Sequence, residues 1–328
     1  MGIHYYVKEI IMRKFDVAII DSGLSMLYGN LVNHEGINFY VFNNIIQINN
    51  KYYDESGHGT ACTHIINNIV NSDISYYIIK ILNKKNLSYP EFLVNAIEYL
   101  LSIEVDIINL SLSLYNDKYI KKIKELVNKL LLQDKIIIAS SDNKQYINVF
   151  SNIPGVYTVI GIPEMKSNQI TIKDNIIYTS NIPVFVPFVD DINKYYLFGG
   201  NSKATALATG LISKIKQINN ISANHMVMDY IKEHSPYNFP IDNRITNEIS
   251  EYSLQSHLLM RKILTNYISV TIESDQKNLF EIGLNRFNVF DLIQDIEKKF
   301  DVDIDINKID YNDFVNINSL LKLTYYSV

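Results

Sequence analysis

The sequence predicts an α/β protein: a doubly wound, mostly parallel sheet with helices on both faces, followed by a small all-α unit at the C-terminus. Two observations carry the first part. Short β-branched apolar runs recur at Phe15–Ile20, Tyr76–Leu82, Val105–Leu110, Lys135–Ala139 and Val156–Ile160. Between them lie longer stretches with helical spacing, such as Tyr89–Ser102 and Lys118–Leu132. Strands apolar on both faces that alternate with amphipathic helices imply right-handed crossovers and a covered parallel sheet. The third observation concerns the tail. The pattern fades into Pro, Asn and charged residues around Pro236–Ile249, then returns as helical spacing at Ser253–Ile268 and Phe287–Phe300. This divides the chain into a domain at 1–237, a linker at 238–251 and a helical domain at 252–328.

Composition narrows the function. The 328 residues carry a formal net charge of −5, whereas nucleic-acid binding needs clustered Lys and Arg. No apolar run is long enough to cross a bilayer. The first fourteen residues, MGIHYYVKEIIMRK, lack the apolar core and small-residue cleavage site of a secretory signal. Tyr6 stands where a myristoylation signal after Gly2 has Ser or Thr. Cys62 is the only cysteine, so no internal disulfide forms. The expectation is a cytoplasmic protein with no nucleic-acid and no membrane partner.

In doubly wound sheets, sites form at the carboxyl ends of the strands. Chemistry is therefore expected just after each apolar run. The first runs into Asp21-Ser22-Gly23, which suits a partly buried carboxylate and equally a turn or helix cap. Gly57-His58-Gly59-Thr60 opens a helical stretch, and its flanking glycines let backbone approach backbone; a lone histidine is also often structural. Lys135–Ala139 leads into Ser140-Ser141-Asp142-Asn143, where an Asn amide could meet an oxyanion or simply make a turn. Gly199-Gly200-Asn201-Ser202 precedes small residues at helical spacing, with Ser202 either a nucleophile or an N-cap. None of these decides the matter alone. Asp, then His, then Ser is one of the chain orders known for serine triads.

Together these motifs resemble the subtilisin-like (S8) peptidase family over roughly residues 12–235. Asp21-Ser22-Gly23 is similar to its Asp motif, His58-Gly59-Thr60 to its His motif, and Gly200-Asn201-Ser202-Lys203-Ala204-Thr205 to its Ser motif. Asn109-Leu110-Ser111-Leu112-Ser113 resembles the segment that pairs with substrate. Ile153–Gly161 resembles the strand after the oxyanion Asn. The resemblance implies a subtilisin-like fold and a serine endopeptidase with Asp21, His58 and Ser202 as triad. It gives Asn143 and the Ser202 N–H to the oxyanion. It gives substrate binding to Asn109, Leu110, Ser111, Leu112, Ser113, Ser140, Ser141 and Asp142. Asp142 and Ser113 replace glycines of the family beside the S1 pocket. An inward Asp142 would favour Lys or Arg at P1; an outward one would only meet water. Ala206 lies near a position that is usually Pro. Cys62 matches the thiol-containing branch of the family and reads as a small buried hydrophobe. No propeptide precedes the Asp21 strand, which implies an intracellular peptidase active as made. The implied chemistry needs no cofactor or metal; the family leaves room for a structural calcium, but no convincing calcium loop is found.

The tail resembles an acyl or peptidyl carrier protein. Leu279–Ile293 and Glu297–Ile304 are similar to the start and end of its second helix, and Asp313–Leu321 to its last helix. The Asp-Ser-Leu of carriers is Asn285-Arg286-Phe287 here. Arg286 cannot be esterified, so no phosphopantetheine is expected. A generic helical bundle is the alternative. The resemblance implies a docking module for a biosynthetic protein partner. The combined expectation is a peptidase acting on peptide or protein substrates in a specialised processing role, of which removing a leader from a modified peptide is one instance. The alternative is a catalytically silent binding protein on the same scaffold, docking partners through its tail.

Overall fold

The computed structural model describes residues 15–70, 74–112, 117–141, 149–235, 252–268 and 276–325. The linker expected at 238–251 lies outside these residues, as do Ser113, Asp142 and Asn143. In chain order the elements begin with β1 (Phe15–Asp21), α1 (Met26–Gly29), β2 (Asn33–Phe42), β3 (Ile45–Asn49), α2 (His58–Val70), β4 (Ile74–Lys80) and α3 (Pro90–Tyr99). Then come β5 (Ile107–Leu110), α4 (Ile120–Leu132), β6 (Ile136–Ser140), β7 (Val156–Gly161), β8 (Ile170–Lys173) and β9 (Ile176–Thr179). The hairpin β10 (Val184–Pro187) and β11 (Tyr195–Phe198) leads into α5 (Gly200–Ile218) and α6 (Asn224–His234). The tail holds α7 (Leu254–Leu264), α8 (Val289–Phe300) and α9 (Ile317–Leu323).

The described strands form a nine-stranded sheet in the order β3-β2-β4-β1-β5-β6-β7-β9-β8, with β10 and β11 as a separate pair. β1 lies near its middle, parallel to β4 and β5. Its residues alternate between the two cores as the pleat requires. Val17 and Ile19 pack with α2, α5 and α6 on one face. Ala18 and Ile20 pack with α3 and α4 on the other. Helical spacing explains α4 in the same way: Ile123, Leu126, Val127 and Leu130 make its buried stripe. The doubly wound sheet expected from the sequence is present.

The sheet is longer than the apolar runs indicated, and both edges are antiparallel. β2 and β3 form a half-exposed hairpin at one edge, with β3 outermost, so they lack the continuous apolar run of a buried strand. Their turn is made by Asn43 and Asn44, at φ 51° and 60°, the left-handed pair favoured in two-residue hairpins. The β8–β9 turn uses Asp174 in the same region.

The tail helices share a core with the hairpin. Phe185 of β10 and Leu197 of β11 pack with Met260, Leu264, Leu292, Ile296, Phe314 and Leu320. Backbone bonds join the two parts: Leu197 N donates to Arg286 O at 3.1 Å, and Tyr311 N to Pro183 O at 3.2 Å. The C-terminal residues are thereby fixed against the strand that leads directly into α5.

Candidate active site

The fold brings the first two expected site residues into contact. Asp21 is the last residue of β1 and is fully buried. His58 is the first residue of α2 and remains 18% exposed. Its Nδ1–H donates to Asp21 Oδ1 at 2.8 Å and lies 3.0 Å from Oδ2. A proton held at Nδ1 leaves the Nε2 lone pair available as a base. Asp21 is itself oriented by the Ser22 N–H at 2.7 Å. Burial pushes the His58 imidazole down in pKa, but the charge of Asp21 and its hydrogen bond outweigh this and hold His58 above the usual histidine range.

Gly59 explains why glycine follows this histidine. A Cβ there would stand 2.3 Å from the Gly23 carbonyl oxygen and 3.2 Å from Asp21 Cβ. Its absence lets α2 begin against the end of β1. Asp54 fixes the same helix start, a role its place in the sequence does not reveal. Its carboxylate accepts from the N–H groups of Ser56, Gly57 and Thr60 and from the Thr60 hydroxyl. Donors left over at a helix start are thus satisfied. Ser22 contributes as well, its hydroxyl accepting from Gly59 N at 2.8 Å.

Ser202 lies in the first turn of α5. Its hydroxyl donates to Ser111 O at 3.2 Å, and the Ser111 hydroxyl donates back to Ser202 O at 3.3 Å. No hydrogen bond joins Ser202 to His58 in this structure. Catalytic hydrogen bonds often tighten only when substrate is bound. Asn201 anchors the start of α5 to two strand ends. Its amide donates to Ser141 O and Oγ at 3.2 and 2.8 Å and accepts from Gly161 N at 2.9 Å.

The residues expected to bind substrate divide into two groups. Asn109 and Leu110 are buried at the end of β5. Asn109 accepts from Thr209 Oγ1 at 2.9 Å and donates to Ser111 Oγ at 3.0 Å, so it positions Ser111. The Ser140 hydroxyl donates to Leu112 O at 3.3 Å, and Ser141 is held by Asn201. These contacts knit the strand ends together around Ser202. Ser113, Asp142 and Asn143 lie outside the described residues.

Three further side chains belong to this region. Cys62 is fully buried, and burial together with the Asp21 charge raises its thiol well above the ordinary range. A thiol so held is a neutral filler and not a nucleophile. Among the described residues, Asp21, His58 and Cys62 are the one group whose ligand atoms could hold a metal, lying within 4.8 Å of one another. Its carboxylate and imidazole are already bonded together. Lys203, beside Ser202, is 1% exposed and donates to Ser180 O at 3.1 Å. Burial pushes its pKa down to about 8, with the charge of Asp310 opposing. Finally, the ring of Phe198 meets His58 edge-on at 5.3 Å.

Comparison with known proteins bears on the family and the fold. The family model described as the subtilase family (peptidase S8) matches residues 13–176, half of the chain. The chain is 24% identical over 220 residues to the minor extracellular protease Epr of Bacillus subtilis, covering 62% of this chain and 32% of that protein. It is 27% identical over 192 residues to an intracellular serine protease of Paenibacillus polymyxa, covering 52% of this chain and 57% of that one. The match thus spans about a third and under three fifths of these two relatives. Among solved structures, a cold-adapted subtilisin-like serine proteinase superposes with a TM-score of 0.54 at 15% identity, over 70% of this chain and 85% of that one. That likeness is one of fold.

Proposed function

The chain belongs to the subtilase family, and from that premise we propose that it is a serine endopeptidase with Asp21, His58 and Ser202 as its catalytic residues. The observation that carries this reading is the fully buried Asp21 bonded to His58 Nδ1 at 2.8 Å. In this reading the Ser202 hydroxyl rotates from Ser111 O toward His58 and attacks the scissile carbonyl. His58 Nε2 takes the serine proton. Asp21 stabilises the imidazolium that results. The oxyanion meets the Ser202 N–H at the positive end of α5, with the Asn143 amide as second donor. As the C–N bond breaks, His58 gives its proton to the leaving amine. Water, deprotonated by the same imidazole, then frees the acyl group from Ser202. No cofactor is required for these steps.

We further propose a specialised processing role inside the cell, on one or a few peptide or protein substrates, of which leader removal from a modified peptide is one instance. The intracellular setting is supported by the Paenibacillus polymyxa relative. No helix of the described residues is long and apolar enough to cross a membrane. Selectivity is supported by the tail, which braces the β10–β11 hairpin and brings residues 285–288 to the strand before α5. The resemblance of residues 252–328 to a carrier protein suits docking of a biosynthetic partner.

This reading predicts that casein stays largely intact while a small set of peptides from a diverse mixture is cut at defined bonds. Mass spectrometry of the digests provides the check. Broad digestion of casein would remove the processing role and leave the peptidase.

A further inference from the structure

One cation near the reaction centre comes from the far end of the chain. Residues 284–288 form a turn fixed by its own side chains: Asn288 Oδ1 accepts from Asn285 N at 3.1 Å, and Asn285 Oδ1 from Phe287 N at 3.0 Å. The turn is tied to β11 by the Leu197 N–H to Arg286 O bond. Phe287 lies against Tyr196 at 5.4 Å and Phe188 at 6.2 Å. Tyr196 in turn reaches the residue before His58, its hydroxyl donating to Gly57 O at 3.4 Å. The Arg286 guanidinium rests 4.5 Å over the Phe287 ring. Its side chain is exposed and has no carboxylate partner among the described residues. Its charge is the smallest of the influences on the His58 imidazole, lowering its pKa against Asp21 and Asp54.

This placement matters for the chemistry. His58 must become a cation during acyl transfer. A second, unpaired cation acting on it opposes that step. An anion delivered by the substrate would pair the guanidinium and remove the opposition at the moment of reaction. The acyl half of a substrate stays on Ser202, beside Ser111. The leaving half departs over His58, which Phe198 and Tyr196 approach from β11. Arg286 is tied to β11 through its carbonyl, and its guanidinium rests on Phe287, which packs on Tyr196.

We propose that Arg286 is a specificity-determining residue that pairs with an Asp or Glu side chain of the peptide, shortly after the scissile bond. This rests on the peptidase reading above and gives it a substrate class: peptides acidic on the leaving side. A guanidinium offers two parallel donors to a carboxylate, a geometry an ammonium does not match. The tail, whose sequence is notable for the carrier serine it lacks, would then complete the substrate site.

The test uses the full chain and matched peptide sets, with acyl halves varied and Asp, Glu, Asn, Gln or Lys in the first three positions of the leaving half. The measured quantity is the ratio of kcat/KM between acidic and neutral peptides within one protein preparation. An exposed, charge-assisted pair predicts a ratio of about three to ten, shrinking as salt is raised. In Arg286→Gln the ratio falls to about one, and in Arg286→Glu it inverts in favour of Lys. The Arg286 contact with Leu197 is made by backbone, so both substitutions leave it in place. Merely structural damage would lower all rates without inverting the preference. Equal cleavage of all sets, or an acidic preference that survives Arg286→Gln, overturns the inference while the peptidase reading stands. If no peptide is cut and a serine-directed probe leaves Ser202 unmodified, the peptidase reading falls and this inference with it.

Discussion

Ser202→Ala is expected to remove peptide hydrolysis almost completely, with kcat reduced by about 10⁶, the size of the loss when the nucleophile of the subtilisin triad is removed. The fold should persist. Among the described residues the Ser202 hydroxyl donates one hydrogen bond, to Ser111 O. Ser111 keeps its own bonds to Asn109 and to the Ser202 carbonyl after the change. The start of α5 is anchored by Asn201, not by Ser202. Thermal unfolding should therefore be nearly unchanged, and the loss falls on chemistry. Residual turnover within tenfold of wild type would mean that another residue is the nucleophile. Cys62 would be a poor substitute, because burial keeps its thiol protonated.

Asp21→Asn should lower kcat by about 10⁴, the size known for the same change in a chymotrypsin-type triad. The substitution is nearly isosteric, so packing at this fully buried position is kept. The electrostatics are not. An amide facing Nδ1 stabilises the tautomer with its proton on Nε2, which cannot act as base toward Ser202. The pH profile moves as well. Asp21 holds His58 above the usual histidine range. His58 works as a base only when neutral, so wild-type activity is present above that raised pKa and is lost as pH falls through it. Without the Asp21 charge the acid limb of the residual activity should shift to lower pH. A profile that keeps its wild-type midpoint would show that another carboxylate sets the state of the imidazole.

Much of this architecture can be read from the sequence, for a physical reason. β1, β4, β5, β6 and β7 are buried on both faces, so each appears as a continuous apolar run. The acid, the histidine and the serine stand where strand ends and helix starts place chemistry in such sheets. Gly59 beside His58 proves to be steric: a side chain there would strike the Gly23 carbonyl. What stayed hidden has reasons of its own. β2 and β3 form an exposed edge and so carry a mixed pattern, although Asn43-Asn44 is a hairpin signal. Asp54 reads as an ordinary loop acid, and only the folded loop brings five donors to it. Lys203 looks like a surface residue because lysine usually is one, yet it is enclosed beside Ser202. Arg286 and Leu197 are far apart in sequence and meet only through the tertiary packing of the tail on the hairpin.

In the proposed mechanism Ser202 is a nucleophile activated through His58 and Asp21. The most direct test is reaction of the full chain with an organophosphorus serine probe, followed by mass spectrometry of the digested adduct. One modified residue is expected, Ser202, with labelling absent in Ser202→Ala and strongly slowed in Asp21→Asn. An unmodified wild type, or a label on any other residue, would contradict that mechanism.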